Sequence, residues 1–145
     1  KVHKWLLNNS LKLNISKCKV ISFTRRNNPR SYNCSVANQP LERCTTLKDL
    51  GVRFDTKFTF KDHIDDITTA ASRLLGYCVR NWSSFADVGT LKLLYVTFVR
   101  SKLEYCNLVW APVYQNSIQA VEAVQRKCLK YLYFKTHGQP RERIK

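Results

Sequence analysis

Methionine is absent from these 145 residues, and glycine and proline number only four each. The glycines, Gly51, Gly76, Gly89 and Gly138, are too scattered to cradle a phosphate, and neither G-x-x-x-x-G-K-[ST] nor G-x-G-x-x-G occurs. G-x-S-x-G and H-E-x-x-H are also missing, so the common serine-hydrolase and zinc-protease signatures are excluded. No run approaches eighteen uncharged apolar residues, and the first residues lack an apolar core followed by a small-residue cleavage site. A soluble intracellular chain, cytoplasmic and/or nuclear, is expected. Because it opens on Lys1 and has no methionine, it is expected to be a piece of a longer polypeptide.

Cysteine is present but unpaired in pattern. The six, at 18, 34, 44, 78, 106 and 128, form no C-x-x-C, and His3, His63 and His137 fall outside ligand spacing. A zinc knuckle or redox motif is excluded, no metal site is expected in this chain, and most of the thiols read as small buried hydrophobes.

The most consequential shortage is acid. Ten Asp and Glu stand against 25 Lys and Arg, a formal charge of +15. Residues 1–41 carry eight basic residues and no acid, residues 42–66 roughly balance, and residues 67–145 carry twelve basic against four acidic. Such a surface calls for a polyanionic partner. Anionic lipid would favour one compact basic helix face, whereas here the charge is spread along the chain, so nucleic acid is the expected partner and no membrane.

Periodicity predicts an α+β chain: the end of a helix, a small antiparallel sheet of about four short strands, then a three-helix bundle. Residues 1–9 read as a helix tail, with Val2, Trp5 and Leu6 at helical spacing and Asn8-Asn9 as its stop. Strands are predicted at 19–25, 31–36, 40–44 and 47–55, with turns at Asn27-Asn28-Pro29 and Asn38-Gln39; Leu50, Val52 and Phe54 alternate in the last. Helices are predicted at 61–81 (Ile64, Ile67, Ala71, Leu74, Cys78; Thr59 and Asp62 as capping box), at 88–110 (Leu91, Leu94, Tyr95, Phe98, Leu103; Ser84 and Asp87 at its start) and at 117–134 (Val121, Val124, Cys128, Leu132; Asn116 and Gln119 as caps). The expected organisation is residues 1–58, residues 59–134 and a loose polar tail from 135 to 145.

Each candidate site has a plainer counterpart. Asp65-Asp66 is the only adjacent acid pair, but side chains one residue apart diverge by about 100° on a helix, so the macrodipole explains them better than a shared metal ion. Phe85-Ala86-Asp87-Val88 has a superficial likeness to a polymerase F-A-D-D turn, yet Val88 replaces the second acid and a helix follows; Asp87 reads as a cap. Basic residues interleave with aromatics at Arg80-Asn81-Trp82, Tyr95 to Arg100 and Arg126 to Phe134, which suits backbone contact with stacking, while for any one residue core packing is the simpler account. The knot Lys17-Cys18-Lys19 before an apolar run reads as a thiol site, a phosphate contact, or the solvated entrance to a strand.

Taken together, seven strings in order carry a resemblance: W-x-x-x-N-x-L-x-L-N-x-x-K-C-K-V-I-x-F (Trp5 to Phe23), D-L-G-V-x-F-D (49–55), F-K-D-H-I (60–64), L-L-G-Y (74–77), L-K-x-L-Y-x-x-x-V-R-S-x-L-E-Y (91–105), V-W-x-P (109–112) and V-E-x-V-Q-R-K (121–127). Over nearly its whole length the chain resembles the reverse transcriptases of non-LTR, jockey-like retrotransposons. The resemblance implies the C-terminal palm edge and thumb of an RNA-directed DNA polymerase, a nucleotidyltransferase of a transposable element. It makes Lys17 the lysine beside the leaving pyrophosphate, with Cys18 its buried neighbour, and Leu50 and Gly51 the primer grip. Phosphate contacts are expected from Lys12, Lys19, Arg25, Arg26, Arg73, Arg80, Arg100, Lys102, Arg126, Lys127 and Lys130. The implied partners are an RNA/DNA template-primer and, in the full-length parent, dNTP and Mg2+. The catalytic F/Y-x-D-D turn would precede Lys1, so this chain alone is expected to be inactive. The alternative is a non-enzymatic nucleic-acid-binding protein derived from such an element.

Overall fold

A computed structural model of the chain describes residues 2–26, 32–81 and 87–138. The expected turn at Asn27-Asn28-Pro29, Trp82, Ser84, Phe85-Ala86 and the tail from 139 lie outside the described residues. Two compact units divide the chain, Lys1–Thr59 and Phe60–Lys145.

The first unit opens with α1 (Val2–Asn8). It stops at the asparagines: Asn9 donates from both its backbone N–H (3.1 Å) and its Nδ2 (2.8 Å) to the Trp5 carbonyl, and Ser10 turns left-handed at φ 55. Among the described residues six short strands follow: β1 (Lys19–Ile21), β2 (Ser35–Val36), β3 (Gln39–Pro40), β4 (Glu42–Cys44), β5 (Thr46–Asp49) and β6 (Val52–Asp55). They make three two-stranded pairs rather than one four-stranded sheet.

Two pairs are antiparallel hairpins, β2–β3 and β5–β6, and each closes through a two-residue turn with both residues at positive φ: Ala37 (50°) and Asn38 (64°), then Leu50 (44°) and Gly51 (86°). Such turns match the right-handed twist of the flanking strands. The predicted 47–55 strand is therefore a hairpin. Leu50 sits at its tip, 82% exposed, instead of sharing the packed face with Val52. In the first hairpin the turn falls on Ala37-Asn38, one residue before the predicted Asn38-Gln39.

The third pair, β1–β4, is parallel, with Lys19, Val20 and Ile21 opposite Glu42, Arg43 and Cys44. Parallel pairing needs a crossover of a dozen or more residues, and the segment between Ile21 and Glu42, which contains the first hairpin, supplies it. Arg43 braces that crossover: its guanidinium donates to Ser22 Oγ and, at 2.6 Å, to the Tyr32 carbonyl.

The second unit is helical. Helix α2 (Lys61–Asn81) buries His63, Ile64, Ala71, Leu75 and Cys78 on one face. Its predicted capping residue Thr59 donates its hydroxyl to Asp55 Oδ2 (3.1 Å). The predicted helix over 88–110 is interrupted. It comprises α3 (Val88–Leu94), a π-helical segment Tyr95–Arg100, α4 (Ser101–Glu104) and, after a left-handed Cys106 at φ 58, α5 (Asn107–Trp110). Asp87 caps α3 as expected, accepting from Gly89 N–H (3.2 Å), Thr90 N–H (2.7 Å) and Thr90 Oγ1 (2.7 Å). Those bonds, the Thr90 hydroxyl first, hold its carboxyl below the usual range.

A spacing argument accounts for the π segment. Leu91, Tyr95, Val99 and Leu103 are all buried and recur every four residues. In an α-helix a four-residue step overshoots a full turn by about 40°, or roughly 120° across the set. The π turns take up that excess, with Ser101 N–H reaching five residues back to the Val96 carbonyl. The break at Cys106 lets the Trp110 indole bury and donate to the Tyr105 carbonyl (2.7 Å), with His63 edge-on to it at 5.4 Å.

Helix α6 (Gln115–His137) starts two residues earlier and ends three later than predicted. Tyr114, not Asn116, takes the cap position, and Asn116 Oδ1 accepts from the adjacent Ser117 N–H instead. Gly138, at φ 77, terminates the helix by donating to the Phe134 carbonyl (2.9 Å), a conformation that glycine adopts without strain. Val124 and Cys128 enter a core with Ala71, Leu75, Cys78, Leu91, Tyr95, Val99 and Leu103.

Candidate nucleic-acid interface

Lys17 closes a single 3-10 turn, Ile15–Lys17, immediately before β1, and its side chain is exposed. The turn forms because Lys17 N–H reaches the Asn14 carbonyl (3.2 Å), which also accepts from Cys18 Sγ (3.4 Å). Cys18 is only half-buried, a correction to its expected burial. The same correction applies to the thiols at large. Only Cys78 and Cys128 are buried, Cys18 and Cys44 are intermediate, and Cys34 and Cys106 are exposed. Burial pushes the Cys128 thiol up to about 11, with Cys78 nearby adding to the effect, and raises Cys78 itself. Neither is a nucleophile at neutral pH.

All eleven predicted phosphate-contacting cations have exposed side chains. In the first unit Lys12 lies on the loop after α1, Lys19 on β1, and Arg25 and Arg26 beyond it. Lys19 pairs with Glu42 across the parallel strands (3.3 Å). In the second unit Arg73 and Arg80 share one face of α2 with Tyr77, at i, i+4 and i+7, and Tyr77 is 60% exposed between them. On α6, Arg126, Lys130, Tyr133 and His137 make a second outward stripe by the same spacing, and the Tyr133 and His137 rings stack at 4.4 Å. Lys127 flanks it.

Like Lys19, Arg100 and Arg126 are engaged by carboxylates. Arg100 Nε donates to Glu104 Oε1 at 2.6 Å, which raises its pKa, and Arg126 meets Glu122 at 3.5 Å. Arg100 and Lys102, two residues apart on helical backbone, point to different sides and do not form one patch.

Leu50 and Gly51 do come together, as the exposed tip of the β5–β6 hairpin. A leucine at φ 44 is uncommon, because its Cβ crowds the backbone there, and such strained positions cluster where a surface is used. On the hairpin's outward face Lys48 lies directly opposite Arg53. Sequence reasoning passed over Lys48, Arg53 and Tyr77; the two-residue turn at Leu50-Gly51 was the signal that would have paired the first two.

Among the described residues no three His, Cys, Asp or Glu side chains gather as metal ligands, and no helix is long and apolar enough to cross a membrane. No family model, curated protein or solved structure matches the chain.

Proposed function

We propose that the chain is the palm edge and thumb of a retroelement RNA-directed DNA polymerase, and that it holds a template-primer duplex through its phosphate backbone. The observation that carries this is the display of cations on outward helix faces with an aromatic between or beside them: Arg73-Tyr77-Arg80 on α2 and Arg126-Lys130-Tyr133 on α6. Cations on a helix face meet phosphates regardless of sequence, and the intervening rings offer stacking surface. The exposed Leu50-Gly51 tip supports a primer grip, since glycine allows nucleic-acid backbone to approach closely.

Among the described residues no three ligand side chains gather for a metal ion, and no chemical step is assigned to this chain. Mg2+, dNTP and the catalytic carboxylates belong to the longer parent in this proposal, with Lys17 as its pyrophosphate-side lysine. A nucleic-acid-binding protein without polymerase activity, derived from the same kind of element, is the second reading. It is supported by the same display of exposed cations and aromatics on α2 and α6.

The test is binding of the chain to RNA–DNA hybrids of several sequences, followed by anisotropy across a salt series. Affinity is expected to vary little with sequence and to fall linearly on a log-log salt plot. Lys130→Gln should lower the slope by about 0.9, one phosphate's worth, and Arg126→Gln by less, because Glu122 already partly neutralises it. Salt-insensitive binding overturns the proposal. In a polymerase containing the upstream palm, Lys17→Ala should slow nucleotide addition at saturating dNTP and leave duplex affinity unchanged, because charge builds on the leaving pyrophosphate only in the transition state.

A further inference from the structure

Helix α5 is a single turn anchored at one point. Trp110 is buried, with its indole donating to the Tyr105 carbonyl, and a residue two positions away on a helix points about 200° round the axis. Anchoring Trp110 inward therefore turns Leu108 outward, where it is 97% exposed. Beyond Pro112, which cannot continue the helix, Val113 stands 87% and Tyr114 59% exposed, and Val109 on α5 is 46% exposed. Tyr114 occupies the N-cap position of α6 and makes no side-chain cap bond, so an aromatic stands in solvent where a serine, threonine or asparagine would have stabilised the helix.

Single exposed apolar side chains are ordinary, but four within seven residues make a patch. Their exposed surface is on the order of 500 Å², the upper end of what a monomer leaves in one place. It also matches the apolar share, roughly 450–500 Å², of the about 800 Å² that each partner contributes to a standard interface.

The patch carries no charge. No Asp, Glu, Lys or Arg occurs among the seventeen residues between Glu104 and Glu122, in a chain where such residues make up 24%. That argues against nucleic acid, whose phosphates need cations, and against an acidic partner, which would be drawn to the basic faces instead. A second copy is the occupant it fits. Two chains of +15 repel wherever their cations face each other, and on this face they meet without doing so. A two-fold contact must also complement itself. Apolar side chains do, and the exposed amides Asn107 and Gln115 that flank the patch in sequence both donate and accept, so each can meet its own kind.

We infer that residues 107–115 form a two-fold contact between two copies of this chain, with Leu108, Val113 and Tyr114 at its centre. The contact uses none of the cations assigned to the duplex, so it stands or falls apart from the proposed nucleic-acid function. Its salt response is opposite in sign: added salt screens the repulsion between copies and strengthens the dimer, whereas it weakens phosphate contacts.

The test is sedimentation equilibrium of the nuclease-treated chain over a concentration series at low and high salt. A monomer–dimer equilibrium with a micromolar Kd is expected, tighter at high salt. Leu108→Ser should weaken it at least about thirtyfold, since each dimer loses two buried side chains, and Val113→Ser should act in the same direction. Leu108→Met keeps an apolar side chain of similar volume and should dimerise like the native chain. Leu93→Ser, at a position 65% exposed outside the patch, should leave the Kd unchanged. Because Leu108 buries almost nothing in the monomer, Leu108→Ser should keep the unfolding midpoint of a dilute sample, which separates a lost dimer from a lost fold. A chain that stays monomeric at millimolar concentration overturns the inference, as does a lowered midpoint for dilute Leu108→Ser, which would put another segment of the same chain on the patch. Dimers that ignore Leu108→Ser, or that dissociate as salt rises, also overturn it. Growth beyond the dimer overturns the closed two-fold contact.

Discussion

Deleting Thr97 should leave the second unit folded, a result that only the π-helical account of residues 95–100 anticipates. With the native spacing, Leu91 and Leu103 are twelve residues apart, which in a regular α-helix is three turns plus about 120°. Removing one residue between them makes the separation eleven, or three turns plus about 20°, so a plain α-helix then carries Leu91, Tyr95, Val99 and Leu103 on one face without π turns. Thr97 is exposed, and apart from the helix's own backbone ladder its carbonyl accepts a surface bond from the Ser101 hydroxyl. The deletion therefore removes little besides the bulge. The alternative for the undeleted chain, reverting to α-helix, would swing Val99 and Leu103 out of the core. At roughly 1.5–3 kcal/mol for each buried aliphatic side chain, that costs about 3–6 kcal/mol, which is why the π turns persist.

The matched control is deletion of Thr69, also exposed but within the regular helix α2, where the loss turns Ala71, Leu75 and Cys78 about 100° away from Ile64. Urea and thermal unfolding should place the Thr97 deletion within about 1 kcal/mol of the intact chain, a Tm shift of no more than roughly 8 °C. The Thr69 deletion should lose several times that or its cooperative transition. Equal damage from the two deletions would refute the account of the π segment.

Leu50→Asn should raise the stability of the first unit by about 1 kcal/mol, because asparagine tolerates the left-handed conformation that leucine occupies under strain and almost no leucine surface is buried there. A lower urea midpoint for this variant would show that the tip is not strained. In native alkylation followed by peptide mass spectrometry, Cys34 and Cys106 should react quickly and Cys78 and Cys128 only after unfolding. Because burial raises the Cys128 pKa from 9.0 to about 11, the folded chain holds that proton where the unfolded chain has lost it. Its contribution to stability is therefore complete below about pH 9 and falls away as the pH rises toward 11. Labelling of Cys128 at the rate of Cys106 would contradict its burial.

Much of the architecture was legible because it follows from local rules. The helix periods over 61–81 and 117–134, the stop at Asn8-Asn9 and the Asp87 cap each depend on residues within a turn or two of one another. The π segment was not legible: Leu91, Tyr95, Val99 and Leu103 recur every four residues, but so do His63, Ile67, Ala71 and Leu75 in the regular helix α2. The break at Cys106 was not legible, since neither glycine nor proline marks it; burial of Trp110 decides it.

By itself, the amino-acid order determined the α+β class, the helix faces and the excess of positive charge, because periodicity and composition act over short range. Only the tertiary structure decided that β1 pairs parallel with β4 and that Phe23 stacks on Phe58. Each of those joins residues that are distant in the chain or depends on which backbone groups find each other, and no local propensity specifies that choice.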